Sequence, residues 1–417
     1  MATVADTPKA GFRLSMLIYD TRYRSMTIQV VVMMAFMAGV AWLVDNAVTN
    51  LHNLGKDFNF SFLWSRSSYD INQRLVEYSS DSTHGRALLI GLLNTLLVAF
   101  LGCVAATIIG VFAGVLRLSK NWLVGRLMTV YVEVVRNVPL LLWILLTYAV
   151  LTEALPPLKD FRGDNPVETM SLNGSIAVTN QYTMMPEPLF SRSLGNIDVG
   201  IFLISVDLIA IIAVIVGSIL VNRALLAQAT RIQEATGERP VTWWKSFLVL
   251  VAPVVLLLLA LGFHLGFPVL GKFNFSGGTE ISNSLLALWL ALALYTGSYI
   301  AEIVRAGILA ISHGQSEAAF ALGMRPGRTM NLVILPQALR VIIPPLISQY
   351  LNLTKNSSLA IAVGYMDLRG TLGGITLNQT GRELECMMLL MLIYLIISLS
   401  ISAVMNVYNN SVKLKER

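Results

Sequence analysis

The sequence predicts an all-α protein that crosses a membrane about eight times. Hydrophobic residues make up 55% of the 417 positions, charged residues make up 13%, and the mean hydropathy is +0.67. Charged residues are about twice as frequent in soluble domains. Apolar runs long enough for a span of about 20 residues lie near 27–44, 86–116, 122–150, 199–221, 246–268, 284–310, 338–362 and 386–408.

The first apolar run has two interpretations. Arg13, Arg22 and Arg24 precede it, as basic residues precede the core of a signal peptide. However, the run is longer than a typical signal-peptide core and continues to Asp45 without a small-residue cleavage site. We therefore expect an uncleaved membrane anchor.

The distribution of basic residues predicts the orientation of the spans. With a cytoplasmic N-terminus, 17 of the 30 Lys and Arg residues lie in inner segments and 10 in outer segments, while Arg136, Arg305 and Lys355 lie within spans. This excess favours two cytoplasmic termini and places the loops 45–85 and 151–198 on the outer face. Because the basic residues flank apolar runs instead of forming one patch, the pI near 9.3 does not indicate nucleic-acid binding.

No motif in the chain predicts catalysis or a bound metal. The four histidines are scattered without ligand spacing, and Cys103 and Cys386 lie in apolar runs, where a thiol is usually a packing residue. The stretch "GFPVLGKF", from Gly266 to Phe273, approaches the phosphate-loop spacing, but Phe273 replaces the hydroxyl that would meet magnesium. We expect neither a catalytic residue nor a cofactor in this chain.

The segment between the sixth and seventh runs is too structured for a simple loop. Ser312 and Gln315 have the spacing of a capping box, a helix is expected over 317–322, and Gly323 suits its C-terminal stop. Pro336 is expected to turn the chain back into the bilayer.

One face of this expected helix suits a partner at the inner face of the membrane. The small Ala318 and Ala319 allow close approach, and Phe320 and Met324 offer apolar contact. The segment therefore predicts a docking surface for another protein.

The same segment carries the spacing of a known family. Glu317, Ala318 and Ala319 are followed by Gly323 and, nine residues later, by "VILP" from Val333. This pattern resembles the EAA loop of ABC importer permeases, with Val333 where isoleucine is usual. Four more stretches resemble the polar amino acid uptake permeases: "GLLNTLLVAFLG" from Gly91, "VEVVRNVPLLL" from Val132, "LYTGSYIAEIVRAGI" from Leu294 and "PPLISQYLNLTKNSSLA" from Pro344. The tail "MNVYNN", from Met405, is similar to the larger permease subunit of general L-amino acid importers.

The resemblance implies a type I ABC importer permease fold whose core lies over 85–150 and 284–408. It also implies a division of the chain into four parts. These are a cytoplasmic N-terminus, anchor and periplasmic loop (1–84), the first part of the core (85–150), a periplasmic loop with an inserted helix pair (151–283), and the second part of the core with the coupling loop and C-terminal helix (284–417).

The resemblance further implies an assembly in the inner membrane of a bacterium. The expected partners are a second, homologous permease, two copies of a cytoplasmic ATPase that hold ATP and magnesium, a periplasmic amino-acid-binding protein, and membrane lipid. The residues expected to dock the ATPase are Glu317, Ala318, Ala319, Phe320, Gly323 and Met324. Trp143 stands where family members often carry glutamine, so the contacts of that glutamine are not transferred to this chain.

Two pairs of opposite charge lie inside apolar runs. Glu133 and Arg136 are three residues apart, as are Glu302 and Arg305. Residues at this spacing share a helix face and can neutralise each other. We interpret both pairs as structural or gating pairs in preference to direct substrate contacts.

Lys355 is the main candidate for substrate binding. A lysine at the centre of a spanning helix costs about 2.5 to 3.5 kcal/mol, so it either snorkels or pairs with a carboxylate, or it serves the transported solute. In the second interpretation its ammonium binds a substrate α-carboxylate, and Asn356, Ser357 and Ser358 add hydrogen bonds. Asn94 is a further candidate, with an interhelical hydrogen bond as the alternative. Family members often carry an acidic residue after the lysine, so the neutral Asn356 predicts broad rather than strictly cationic specificity.

The predicted function is the permease of an ATP-driven importer for polar or general L-amino acids, and the chain itself is not an enzyme. A secondary amino acid symporter is the alternative, but it would predict inverted repeats and broken helices, and it would leave the docking segment without a purpose. A membrane scaffold would explain the docking segment but not Lys355.

Overall fold

The computed structural model describes residues 16–19, 21–53, 55, 58–162, 169–198, 203–272 and 274–412. The chain forms two compact units, Met1–Phe62 and Leu63–Arg417. In the first unit, the short helix α1 (Met16–Tyr19) precedes the 33-residue helix α2 (Thr21–Asn53). At 1.5 Å per residue, α2 is about 50 Å long, which is enough to cross a bilayer. Its apolar side chains are largely exposed within the unit, as expected for a helix that faces lipid.

The second unit is a helical bundle with short strands at one end. Its helices are α3 (His84–Leu116), α4 (Trp122–Asn137), α5 (Leu140–Glu153), α6 (Ser171–Gly174), α7 (Val206–Thr236), α8 (Trp243–Ala260), α9 (Asn283–Leu309), α10 (His313–Ala321), α11 (Pro326–Thr329), α12 (Leu335–Asn356), α13 (Leu368–Gly370), α14 (Leu377–Thr380) and α15 (Glu383–Val412). Met330–Ile334 and Thr371–Thr376 are π-helical, while Leu158–Phe161 and Ser357–Val363 form 3₁₀ turns. A further 3₁₀ turn, Ser61–Trp64, lies where the chain passes from the first unit to the second.

Eight helical segments of the described chain are long and apolar enough to cross a membrane. This number confirms the predicted count, but the predicted span 122–150 was wrong in its bounds. The structure divides it into α4 and α5 at Val138, whose backbone is extended with φ −102° and ψ 134°. Pro139 causes the break, because proline lacks an N–H and disfavours helical backbone in the residue before it. The indole of Trp143 donates to the Val135 carbonyl across the break at 3.2 Å.

Helix α9 lies at the centre of the bundle and packs against α3, α5 and α12. The contact with α3 is close because Gly110 and Gly114 face it. A Cβ atom at Gly110 would lie 2.5 Å from Cβ of Ile300, and one at Gly114 would lie 2.6 Å from the Ala301 carbonyl oxygen. Two glycines four residues apart therefore bring the two backbones together, as small residues do between membrane helices.

In their described residues, the connections around α7 and α8 contain nine short strands, which the all-α prediction did not include. They are β1 (Ala177–Val178), β2 (Tyr182–Met185), β3 (Glu187–Phe190), β4 (Asn196–Asp198), β5 (Leu203–Ser205), β6 (Phe263–Gly266), β7 (Val269–Leu270), β8 (Phe275–Ser276) and β9 (Thr279–Ser282). The strands pair as the antiparallel sheet β1-β2-β9 and the antiparallel pairs β3-β6, β4-β5 and β7-β8. The partners β3 and β6 are separated in the chain by α7 and α8. Each has two to four residues, which is too short for a period-2 pattern to predict. A small core that includes Phe161 and Phe275, with ring centroids 5.7 Å apart, supports the sheet.

The inserted pair α7 and α8 packs mainly against itself and against the strands. The apolar run predicted only 199–221 for the first of these helices, but α7 continues to Thr236 and ends at Gly237, which adopts a left-handed conformation with φ 77°. The extension contains good helix formers such as Ala, Leu, Gln and Glu, so the helix continues beyond the apolar part.

Helix α9 defines the two ends of the bundle. We call the end where β9 joins its N-terminus the strand end, and the end where it leads through three residues into α10 the α10 end. Helix α3 runs in the same direction as α9, whereas α12 runs back towards the strand end.

Candidate functional site

The helix α10 begins at His313, four residues before the predicted helix 317–322, with Ser312 at the N-cap position but without the predicted capping box. The Ser312 hydroxyl makes no capping bond, and the Gln315 backbone N–H donates to the Ser312 carbonyl at 3.1 Å. The Gln315 side chain instead accepts a hydrogen bond of 3.3 Å from Nε2 of Gln337 on α12. The structure therefore uses Gln315 to hold α10 against the next membrane helix.

The helix α10 ends at Gly323, as the sequence predicts. Gly323 has φ 76°, its N–H donates to the Phe320 carbonyl at 2.9 Å, and the Met324 N–H donates to the Ala319 carbonyl at 3.0 Å. These two bonds form a Schellman motif, which satisfies carbonyls that a helix end leaves free. A residue with a Cβ is strained at this φ, so glycine is required for the geometry of the stop.

Pro336 does not turn the chain, so this prediction was wrong. The helix α11, a π-helical segment (Met330–Ile334) and α12 follow one another without a turn, and Pro336 lies at the start of α12. Proline is tolerated in the first turn of a helix, because N–H groups at that position need no partner within the helix.

The surface of α10 differs from the predicted one at two residues, Ala319 and Met324. Ala319 is 4% exposed and faces its own chain, so it does not contribute to an outer face. Glu317, Ala318 and Gly323 are exposed, Phe320 is 50% exposed, and Met324 is half-buried. The available docking surface is the exposed set Glu317, Ala318, Phe320, Ala321, Leu322 and Gly323.

A network of charged side chains lies at the α10 end. Arg117, which follows α3, forms a hydrogen-bonded ion pair with Glu302 on α9, and it reaches Glu133 on α4 at 3.8 Å. Arg305 also pairs with Glu302, at 3.2 Å. The side chain of Arg117 is only 7% exposed. One buried guanidinium therefore joins three helices.

The other predicted pair, Glu133 and Arg136, is not arranged as its three-residue spacing predicts. Glu133 pairs with Arg117 instead of Arg136, and the Arg136 guanidinium lies over the ring of Tyr299, 5.0 Å from its centroid. This position allows a cation–π interaction. Only Glu302 and Arg305 form the pair that the three-residue spacing predicts.

Lys355 lies in a cleft at the strand end, in the last turn of α12. The cleft has a volume of about 390 Å³ and is formed by α12, the turn after it, α13 and α15. Its polar lining consists of Lys355, Ser358, Arg369, Tyr394 and Ser398, together with three apolar residues of α15. Among the residues that the structure describes, the exposed Lys355 ammonium has no hydrogen-bond or ion-pair partner.

The other predicted substrate contacts lie outside this cleft lining, except Ser358. The Ser357 hydroxyl is fully buried and donates to the Thr354 carbonyl at 2.8 Å, while Asn356 is half-exposed. Asn94 is fully buried, and its Nδ2 donates to the carbonyls of Gln73 at 2.8 Å and Met366 at 2.9 Å. Asn94 thus ties α3 to two connecting segments, and its role in substrate binding stays a prediction.

A buried carboxylate supports one wall of the cleft. Oδ1 of Asp367 accepts from the Gly370 N–H at 2.8 Å, and Oδ2 accepts from the Tyr394 hydroxyl at 3.2 Å. Burial raises the pKa of Asp367 to about 6, although Arg369 and these hydrogen bonds act in the opposite direction. Both oxygens of the carboxylate are therefore engaged, and their hydrogen bonds hold α13 and α15 together.

Sequence reasoning missed Arg117, Arg369 and Tyr394. The first two are basic residues outside the apolar runs, and they were counted only as evidence for orientation. Tyr394 stands in an apolar run without a local motif. No signal within a short window distinguishes these residues, because their partners lie on other helices.

Comparison with known proteins shows the class to which this chain belongs. The family model described as "Binding-protein-dependent transport system inner membrane component" matches residues 240–414. The chain is 63% identical to the glutamate/glutamine/aspartate/asparagine transport system permease protein BztB of Rhodobacter capsulatus, over 100% of both chains. It is 44% identical to the general L-amino acid transport system permease protein AapQ of Rhizobium johnstonii, over 99% of both chains. It is 40% identical to the putative amino-acid ABC transporter permease protein YhdX of Escherichia coli, over 94% of this chain and 95% of that protein.

The chain therefore belongs to the family of ABC transporter permeases, the multi-pass membrane subunits of binding-protein-dependent transport systems. Members of this family are not themselves enzymes, since a separate ATPase hydrolyses ATP, and they work with a partner permease. These matches do not support the symporter alternative.

Proposed function

We propose that this chain imports polar L-amino acids across the inner membrane of a bacterium. The names of the two relatives that match over nearly their whole length, for glutamate, glutamine, aspartate and asparagine and for general L-amino acids, support this substrate class. All these solutes share an α-carboxylate and an α-ammonium, so one site can serve them if it binds the shared groups.

The unpartnered ammonium of Lys355 is the observation that carries the proposal. It lies in a cleft with the hydroxyls of Ser358 and Ser398. An ammonium without a carboxylate partner is costly inside a membrane unless water or a ligand solvates it. Lys355 therefore binds the substrate α-carboxylate, and the serine hydroxyl oxygens accept hydrogen bonds from the α-ammonium.

The exposed surface of α10 docks the ATPase. The partners of the complete importer are a second permease, two ATPase copies that hold ATP and magnesium, a periplasmic amino-acid-binding protein and surrounding lipid. Support for the docking role comes from the rigid stop at Gly323 and from the exposed Phe320.

Movement of α10 reaches the membrane helices by two connections. Helix α9 leads into α10 through three residues, and the Gln315–Gln337 hydrogen bond connects α10 to α12. Closure of the ATPases on ATP would move α10, and with it the α10 ends of α9 and α12. The ion pairs of Arg117 join α9 to α3 and α4, so the bundle alternates between two access states as packed units.

ATP-dependent uptake by the reconstituted complex tests this proposal. Lys355→Met keeps most of the side-chain volume and removes the charge, so uptake of glutamate and glutamine should both fall by about 10-fold or more. The control is Lys245→Met, because Lys245 lies at the start of α8 with its ammonium over Trp244, away from the cleft. Normal uptake by Lys355→Met would return Lys355 to the snorkelling interpretation.

A further inference from the structure

A second cation lies in the same cleft as Lys355. Arg369, on α13, lines it opposite the hydroxyl-bearing face of α15, where Tyr394 and Ser398 lie. We infer that Arg369 is the specificity-determining residue of this permease and that it binds the side-chain carboxylate of acidic amino acids. This inference rests on the proposed function, because it takes Lys355 as the partner of the α-carboxylate.

The backbone of α13 holds Arg369 in a defined position. The Leu368 N–H donates to Oγ1 of Thr95 on α3 at 3.0 Å, and Asp367 caps the Gly370 N–H at 2.8 Å. Leu368 and Gly370, on either side of Arg369, are buried. The arginine therefore extends from a fixed turn that α3 supports, and a site on a fixed turn discriminates better than one on a mobile loop.

The guanidinium of Arg369 has donors to spare. One of its N–H groups donates to the Gly373 carbonyl, which orients the side chain. A guanidinium carries five N–H donors, so four remain for a ligand. In the described part of the chain, no carboxylate forms an ion pair with Arg369, whose charge acts on the buried Asp367 two residues away only through a lowering of its pKa. A carboxylate can therefore meet it in a bidentate arrangement, which is the strong geometry for this pair.

The charge of the cleft favours a ligand with two carboxylates. Lys355 and Arg369 supply two positive charges, and no carboxylate of the described chain lines the cleft. The buried carboxylate that supports one wall of the cleft, Asp367, uses both oxygens on Gly370 and Tyr394. Glutamate and aspartate would neutralise both cations, whereas an amino acid with a neutral side chain leaves Arg369 unpaired, and one with a basic side chain is repelled.

The size of the cleft is compatible with such a ligand. Its volume of about 390 Å³ lies within the range of about 300 to 1,000 Å³ that is usual for small-molecule sites. Besides its polar groups, the cleft has three apolar residues of α15, which suit the methylene groups of such a substrate.

The test compares glutamate with its uncharged analogue glutamine in the reconstituted complex with its own binding protein. Each variant is compared with the wild-type protein for each substrate, so that the preference of the binding protein cancels. Arg369→Gln should raise the KM for glutamate by about 10-fold or more, because a charge-assisted pair is lost, and should leave the KM for glutamine within about twofold. Arg369→Lys keeps the positive charge and should retain most of the preference for glutamate.

A second variant tests the same inference without altering α13. Leu390→Asp adds a carboxylate on α15 beside Arg369, since a Cβ atom at Gly373 would lie within 3.1 Å of both side chains. The new carboxylate can occupy Arg369, so this variant should also reduce glutamate uptake more than glutamine uptake. Equal losses for the two substrates in both Arg369→Gln and Leu390→Asp, or no loss in either, would overturn the role of Arg369. Unchanged uptake of both substrates by Lys355→Met would instead refute the proposed function, so the two failures can be told apart.

Discussion

Arg117 has a role that depends entirely on neighbours distant in the sequence. Its guanidinium is nearly buried, and it pairs with Glu302, 185 positions away, and with Glu133 on a third helix. Without Arg117, Glu302 would keep Arg305 at 3.2 Å and Glu133 is half-exposed, so the main loss is the charged hydrogen bond that links the helices. The network is therefore sensitive to loss of its central residue.

We expect Arg117→Met to destabilise the permease by about 2 kcal/mol, because the charged hydrogen bond that joins α3 to Glu302 on α9 is lost. The thermal midpoint of the purified complex measures this change. Arg74→Met is the matched control, since Arg74 pairs with Asp70 at 3.1 Å but both side chains are well exposed, and such pairs contribute about 1 kcal/mol or less. Equal shifts in the two variants would contradict the central position of Arg117.

Asp367 makes stability depend on pH in an unusual direction. Burial raises its pKa from the ordinary value of 3.8 to about 6. Between these two values the folded protein keeps a proton that the unfolded chain has released. Stability therefore falls as pH rises through this interval and changes little above it, because both states are then ionised.

Asp367→Asn should remove this part of the pH dependence. We expect the wild-type protein to lose thermal stability relative to Asp367→Asn as the pH rises from about 4 to about 7. Thermal unfolding at several pH values gives both curves, and all other titrating groups are common to them. Parallel curves would show that Asp367 has an ordinary pKa in the folded protein.

At the scale of single elements, α10 is the clearest link between local sequence and function. Its end is set by one glycine with φ 76°, and a Cβ at that position would meet nothing within 4 Å. The restriction at Gly323 is therefore one of backbone conformation and not of space. A substitution changes the path of the chain at the docking surface without creating a clash.

Gly323→Asp should leave membrane insertion intact but abolish coupling of ATP hydrolysis to uptake, because left-handed backbone costs a non-glycine residue about 1 to 2 kcal/mol. Gly327→Asp adds the same charge four residues later, at an exposed glycine in α11 without this restriction, and should keep most activity. Gly323→Asn should also keep more activity than Gly323→Asp, since asparagine adopts this conformation most readily after glycine. Co-purification of the ATPase and uptake are the measurements, and equal loss in all three variants would indicate an effect of surface change alone.

The break between α4 and α5 shows how an apolar run can mislead. The run 122–150 is long enough for one span, and hydropathy alone does not divide it. The dipeptide Val138-Pro139 gives the local reason for the break, but the apolar sequence on both sides concealed it. The consequence is functional, because α4 brings Glu133 to Arg117 at the α10 end.

For the whole molecule, the positions of both termini relative to the membrane remain a prediction. Eight spans place the termini on one side, and the excess of basic residues in the inner segments favours the cytoplasm. A fluorescent protein fused after Arg417 should fluoresce in bacteria, and alkaline phosphatase inserted after Ser191, beside the end of β3, should be active. The opposite pattern at both sites would reverse the orientation and place α10 on the wrong side for an ATPase.

The sequence by itself determined the number of spans, the position of α10 and its stop, and the family. These features follow from hydropathy over about 20 residues and from backbone preferences at single positions such as Gly323, so they need no knowledge of distant neighbours.

Only the tertiary structure decided which side chains meet. It replaced the expected Glu133–Arg136 pair with the three-helix network of Arg117, placed Asn94 among backbone carbonyls, and brought Arg369 into the cleft of Lys355. It also paired strands of two to four residues that are separated by whole helices. Such contacts join residues far apart in the chain, and their energy depends on packing that no local pattern contains. Local reasoning therefore found Lys355 but not Arg369 in the same cleft.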